Sequence, residues 1–194
     1  MTSLPLLLEE IRACQSCTAH LPNAPRPILR ASATARLLII GQAPGRKVQE
    51  TGIPWDDPSG VRLREWLQLS PEQFYDEDRV AIVPMGFCYP GRGASGDLPP
   101  RPECAPQWHP RLLSALPQLR LTLLIGAYAQ ARYLGAKAGA GLTETVTAYA
   151  DYLPHYFPLP HPSPRNRGWF VRNEWFDREA VPELRRRVAA AFLR

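Results

Sequence analysis

Four cysteines carry the clearest chemical pattern in the chain. Cys14 and Cys17 form a C-x2-C pair, while Cys88 and Cys104 are separated by fifteen residues rich in proline and glycine. A tight pair plus two further thiols on a loop can close a four-thiolate site around zinc or an iron–sulfur cluster, and spacing does not choose between them. Buried free cysteines acting as small hydrophobes are the alternative. His161 stands at the end of an apolar run and is followed by Pro-Ser-Pro-Arg-Asn. The two prolines stiffen that loop, and Ser163, Arg165 and Asn166 carry groups able to meet phosphate. A second apolar run opens into "GQAPG" at 41–45, which lacks the glycine spacing of a dinucleotide or P-loop site. Its small residues admit a ligand close to the backbone, and Gln42 can both donate and accept hydrogen bonds. Trp55, in "GIPW", suits either the core or a stacking platform for a planar ligand.

The elements that must hold these residues follow from hydrophobic patterning. Near-continuous apolar runs predict strands at 36–41, 79–85, 121–126 and 156–161. Helical patterns occupy an amino-terminal segment ending near Cys14, then 59–69, 104–116, 127–135 and 174–194. Apolar strands alternating with helices predict a parallel sheet covered on both faces, with ligands beyond the carboxyl ends of the strands. GQAPG, the segment around Met85, the turn at Gly126 and "HPSPRNRGW" then share one rim. The proline-rich stretch 89–106 reads as a rigid loop, and no repeat divides the chain, so 1–194 is expected to form one domain.

All but Lys47 and Lys137 of the 23 basic residues are arginine, and the formal net charge is +5. Arginine forks onto two phosphate oxygens at once. A G·C-rich genome also favours arginine. No run of 18 apolar residues exists and the start lacks a secretory pattern, so no membrane association and a cytoplasmic location are expected. In that compartment cysteines serve as ligands or thiols more often than as disulfides.

Taken together, the C-x2-C pair, "GQAPG" followed by "GIPW", the later cysteine pair, "LTLLIGAYAQARYL" and "HPSPRN" resemble the uracil-DNA glycosylase superfamily. The resemblance spans nearly the whole chain and is closest to the iron–sulfur branch, often called family 4, although HPSPRN is closer to the single-strand-selective branch. It implies a three-layer α/β/α fold with a central four-stranded parallel sheet, and a [4Fe-4S] cluster on Cys14, Cys17, Cys88 and Cys104. It also implies a monomer that acts on DNA containing a deaminated base and hydrolyses the N-glycosidic bond of uracil to leave an abasic site. His161 matches the histidine that stabilises the departing base, and Gln42 would orient base or water. Trp55 takes the place of a stacking phenylalanine, a role worth roughly 1–3 kcal/mol per base. Gly41, Ala43 and Met85 would border the base, while Ser163, Arg165, Asn166 and Trp169 would contact DNA, Trp169 also filling the emptied stack.

Three departures bear on chemistry. Gln42 stands where the iron–sulfur branch has Glu, Ala43 where the main bacterial branch has a water-activating Asp, and Pro84 where relatives place an asparagine that reads uracil. These leave open a different base such as hypoxanthine, or a non-turnover or covalent iron–sulfur DNA-binding protein. Glu50, Asp56 and Asp57 are the carboxylates near the first motif. With water activation weakened, catalysis is expected to rely on a His161 imidazolium, so that rates at saturated DNA binding rise as pH falls through the range where His161 protonates, a histidine's unperturbed pKa being about 6.5.

Overall fold

The computed structural model describes residues 3–193. Met1 and Thr2 of the expected first helical segment, and Arg194 of the expected last helix, lie outside the described residues. Strands β1 (Leu37–Ile40), β2 (Val80–Ile82), β5 (Leu121–Ile125) and β6 (Tyr156–Leu159) form a parallel sheet in the order β2-β1-β5-β6. Two short strands, β3 (Arg92–Gly93) and β4 (Gly96–Asp97), pair as a separate antiparallel hairpin. The stretch expected to be a plain rigid loop therefore contains a hairpin, turned at Ala94-Ser95, with Ser95-Gly96 the kind of dipeptide that marks turns.

Alternation along the strands supplies both layers. On one face Leu37, Ile39, Leu121, Leu123, Phe157 and their neighbours pack against α3 (Pro58–Leu67) and α9 (Val181–Phe192). On the other face Leu38, Ile40, Ala81 and Leu124 pack against α1 (Leu4–Arg12), α5 (Cys104–Ser114) and α6 (Ala127–Leu134). Successive side chains point to opposite faces of a strand, so the unbroken apolar runs are what a sheet buried on both sides requires. The architecture is three-layer α/β/α around a four-stranded parallel sheet.

Short helices α2 (Arg46–Thr51), α4 (Pro71–Phe74), α7 (Leu142–Thr147) and α8 (Arg167–Arg172) complete the chain, and a turn of π-helix, Phe176–Ala180, leads into α9. The core strands are shorter than the apolar runs because each run continues into the rim. After β2 the backbone keeps bonding: Val83 N–H donates to Ile39 C=O at 3.0 Å, Met85 N–H to Gly41 C=O at 2.9 Å and Gly86 N–H to Gln42 C=O at 2.9 Å. Segment 83–86 thereby holds the GQAPG loop in place. Gln130, buried in α6, donates its amide to Leu124 C=O at 3.2 Å and Leu159 C=O at 2.9 Å, tying together the ends of β5 and β6 just before His161.

Candidate active site

The chain moves from β1 to β2 on one side and then crosses to β5 on the other side of β1. A ligand crevice is expected outside the strand ends where the direction reverses. A cavity opens there, walled by the 41–45 loop, Val48, Pro54, Trp55, Asp57, Pro84 and His161. It continues into a groove, which shares Gln42, Asp57 and His161 with it and adds Asp97, Leu98, Ser163, Arg165 and Asn166.

Trp55 is held over this cavity by unusual local structure. Its φ is 58°, a left-handed conformation rare for a bulky residue. Arg64 donates to its carbonyl at 3.3 Å, and Tyr75 Oη donates to the preceding Pro54 carbonyl at 3.0 Å. A side chain on Gly60 would place its Cβ 1.8 Å from the Trp55 carbonyl oxygen, and one on Gly41 would come within 2.9 Å of the indole ring. Both glycines exist so that the tryptophan can lie against the loop. The ring thus both packs against the core and lines the cavity.

The Trp55 and His161 rings are 5.6 Å apart, tilted by 31°. Ser163 N–H donates to His161 Nδ1 at 3.2 Å, and Asn166 Nδ2 donates to the His161 carbonyl at 2.8 Å. An Nδ1 that accepts carries no proton, so the neutral ring bears its hydrogen on Nε2. Burial pushes the His161 pKa below its usual value, against the opposing pull of the Asp57 and Asp97 charges. Burial therefore favours the neutral ring, an N–H donor through Nε2, over the imidazolium expected from the sequence, and displaces that cation to more acidic solution.

Gln42 makes no side-chain hydrogen bond among the described residues and lines both cavity and groove, as does Ala43; Gly41 lines the cavity. Met85 departs from its expected place. Its side chain packs on the core and its N–H is bound to Gly41 C=O, so it reaches the cavity only through the loop it anchors. Ser163 and Arg165 line the groove; Asn166 does too, with its amide holding the His161 loop. Trp169 is not among the groove residues; its partly buried indole donates to Thr143 Oγ1 at 2.8 Å and packs edge-on against Phe170, Trp175 and Phe176. Of the three carboxylates, Glu50 pairs with Arg46 and Asp56 with Lys47 outside the cavity, while Asp57 faces in.

His109, which carried no signal in the sequence, supports the opposite wall. It is 1% exposed, stacks on Phe87, and meets Pro84 C=O through Nε2 at 3.0 Å and Tyr133 Oη through Nδ1 at 2.5 Å. A carbonyl can only accept, so Nε2–H donates and Tyr133 donates to Nδ1. Burial pushes the His109 pKa down to about 4. The unfolded chain takes up this proton near about pH 6.5 and the folded chain does not, so stability present above that pH is lost on acidification, by about 3 kcal/mol at pH 4. In urea unfolding, His109→Gln should therefore be less stable than wild type at pH 7 and converge on it as pH approaches 4; a gap that stays constant with pH would contradict this.

Cys14, Cys17, Cys88 and Cys104 line a second cavity, of about 350 Å³, together with Pro25, Pro27, Gly86, Phe87, Arg101 and Trp108. All four are free thiols, and Phe87 N–H donates to Cys104 Sγ at 3.4 Å. Burial pushes the Cys88 thiol up to about 11 and the Cys104 thiol up to about 12, with the neighbouring thiols adding to both. Four thiolates in this space need positive charge among them. Among the described residues no three Cys, His, Asp or Glu side chains converge on a single-ion site. The two cavities are lined by neighbouring stretches of chain: Pro27 and Gly86–Cys88 line the thiol cavity, Ile28 and Pro84 the other.

Fold and pocket together define an α/β protein with a ligand site at its topological switch point. The family profile "Uracil DNA glycosylase superfamily" matches residues 30–185, and the chain belongs to that superfamily of DNA-repair glycosylases. The matched stretch contains Cys88, Cys104, Trp55 and His161; Cys14 and Cys17 precede it. No helix among the described residues is long and apolar enough to cross a membrane.

Proposed function

We propose that the protein is a monofunctional glycosylase that removes uracil from DNA, leaving an abasic site, as a cytoplasmic monomer carrying a [4Fe-4S] cluster on Cys14, Cys17, Cys88 and Cys104. The observation that carries the reading is the pairing of the strained Trp55 ring with the neighbouring His161, its Nε2–H free, on the wall of one cavity. Breaking the bond between base and deoxyribose leaves negative charge on the base and positive charge on the sugar. The extruded base stacks on Trp55, the His161 Nε2–H donates to the carbonyl oxygen that gains charge, and Gln42 donates to or accepts from the base edge. The groove beside Ser163 and Arg165 takes the flanking strand. When bound, the cluster supplies a four-way crosslink between the amino-terminal segment, the 86–88 strip and the start of α5.

Gln42 is the side-chain amide in the cavity, without a hydrogen-bond partner among the described residues, and an amide pairs with the edge of hypoxanthine as well as that of uracil. Deaminated purine is therefore the second substrate to assay. Excess protein is incubated with labelled uracil or hypoxanthine oligonucleotides, treated with alkali and resolved on a denaturing gel. Cleavage at uracil is the expected result. Cleavage only at hypoxanthine, or a strand that is intact or covalently shifted, replaces the reading with one of its alternatives.

A further inference from the structure

Trp55 lines the cavity from a backbone conformation that has to be held. Residues 53–56 make a tight turn, closed by the Asp56 N–H donating to Ile53 C=O at 3.3 Å, with Pro54 second and Trp55 third. A left-handed third residue, here at φ 58°, is the place where such turns favour glycine. A tryptophan persists there only where its surroundings fix the chain. We infer that Arg64 and Tyr75 are positioning residues for the Trp55 ring, holding this turn from behind so that the indole already faces the cavity when a base enters.

The two side chains bind the backbone of the turn and not the ring. Tyr75 Oη donates to Pro54 C=O at 3.0 Å, while Arg64 Nη1 donates to Trp55 C=O and to Tyr75 Oη, both at 3.3 Å. Among the described residues no backbone N–H reaches either carbonyl. The donors thus run in one direction, from guanidinium to phenol to peptide, and both rest on fixed supports. Arg64 lies in α3, whose Gly60 is pressed against the Trp55 carbonyl, and its guanidinium stands 5.5 Å and 5.8 Å from the Phe74 and Tyr75 ring centres. Arg30, tied to β2 by backbone bonds in both directions with Ile82, covers the Tyr75 ring at 5.1 Å. Burial pushes the Tyr75 pKa up, so the phenol keeps the proton that it donates. Neither Arg64 nor Tyr75 lines the cavity. Their effect on a bound base therefore passes through the turn, which sets how the indole stands to His161, 5.6 Å away.

The role in turnover rests on the glycosylase reading, whereas the hold on the ring does not, and one set of variants separates the two. Tyr75→Phe keeps the aromatic ring and loses only the hydroxyl; Arg64→Met keeps the apolar stem. Labelling with 5-fluorotryptophan gives a fluorine signal for each of the five tryptophans, and Trp55→Phe identifies the one from Trp55. That signal should shift or broaden in Tyr75→Phe while the other four hold their place. Single-turnover release of uracil at saturating protein should fall roughly 3–10-fold in Tyr75→Phe, the worth of one hydrogen bond, and further in Arg64→Met. Binding to an oligonucleotide bearing a tetrahydrofuran abasic analogue, which has no base to stack, should match wild type. In a Trp55→Ala background Tyr75→Phe should cost nothing more, because the ring it positions is gone. A Trp55 signal that does not move in Tyr75→Phe overturns the inference, as does a wild-type rate in both variants. A rate loss matched by an equal loss of abasic-analogue binding, or one as large without the Trp55 ring as with it, overturns it too. A wild-type protein that releases neither uracil nor hypoxanthine overturns the glycosylase reading instead, and the fluorine signal then decides alone whether Tyr75 holds the ring.

Discussion

His161→Asn is expected to slow single-turnover base release roughly 10²–10³-fold at neutral pH, the cost of losing one preorganised donor to a developing oxyanion. The shorter amide cannot place an N–H where the imidazole Nε2–H stands, and it also gives up the Ser163 bond that fixes the ring. The pH profile follows from the protonation state. Burial holds the His161 pKa below its ordinary value, so the ring stays neutral as pH falls from roughly 8 to about 6.5, the unperturbed value. The saturated wild-type rate should stay flat over that range, and any gain from imidazolium is displaced to more acidic solution. Protonating Nδ1 would also set its hydrogen against the Ser163 N–H. Rates measured at saturating protein, so that DNA binding does not enter, provide the check. A rate that climbs with a histidine-like midpoint near pH 6.5, or an Asn variant as fast as wild type, contradicts the neutral-donor mechanism.

Cys104→Ala should purify without the broad visible absorption of an iron–sulfur centre that the wild type is expected to show when isolated anaerobically with about four irons per chain. The effect should reach beyond colour. Cys104 opens α5 and accepts the Phe87 N–H, and the strip running from Pro84 to Cys88 walls both cavities. Loss of the crosslink frees that strip, so the variant should also unfold at lower temperature and bind abasic-analogue DNA more weakly. Iron and sulfide analysis together with thermal unfolding measures both effects. A colourless wild type holding one zinc per chain would overturn the cluster and keep the four-thiolate site; a fully coloured Cys104→Ala would remove Cys104 from the ligand set.

What the sequence made legible was whatever rests on short-range pattern. The four core strands, their parallel pairing and the rim carrying GQAPG and His161 follow from apolar runs alternating with helices, because burial on both faces forces such runs. The convergence of the four cysteines on one cavity was legible from number and spacing. Roles that depend on side-chain direction were not. Met85, Asp57 and Trp169 show this: one packs on the core, one caps a helix at the cavity wall and one joins an aromatic cluster beside Thr143. Asp57 did carry a local signal, since an aspartate directly before a proline and a helical pattern marks an amino-terminal cap. That signal describes the helix and says nothing of the cavity beside it. His109 gave no signal, because a histidine within an apolar helical pattern reads the same whether it packs or fixes a neighbouring carbonyl. The strained backbone of Trp55 emerges only once Gly41 and Gly60 are seen pressed against it.

The central claim is that this cavity releases an intact base by hydrolysis. Mass spectrometry of a single-turnover reaction on a uracil-containing oligonucleotide tests it most directly, because both products are weighed. The account predicts one free uracil for each strand lost and a matching strand whose mass corresponds to a hydrolysed abasic site, with no protein–DNA adduct. An unchanged strand, or a strand found covalently joined to the protein, would contradict it.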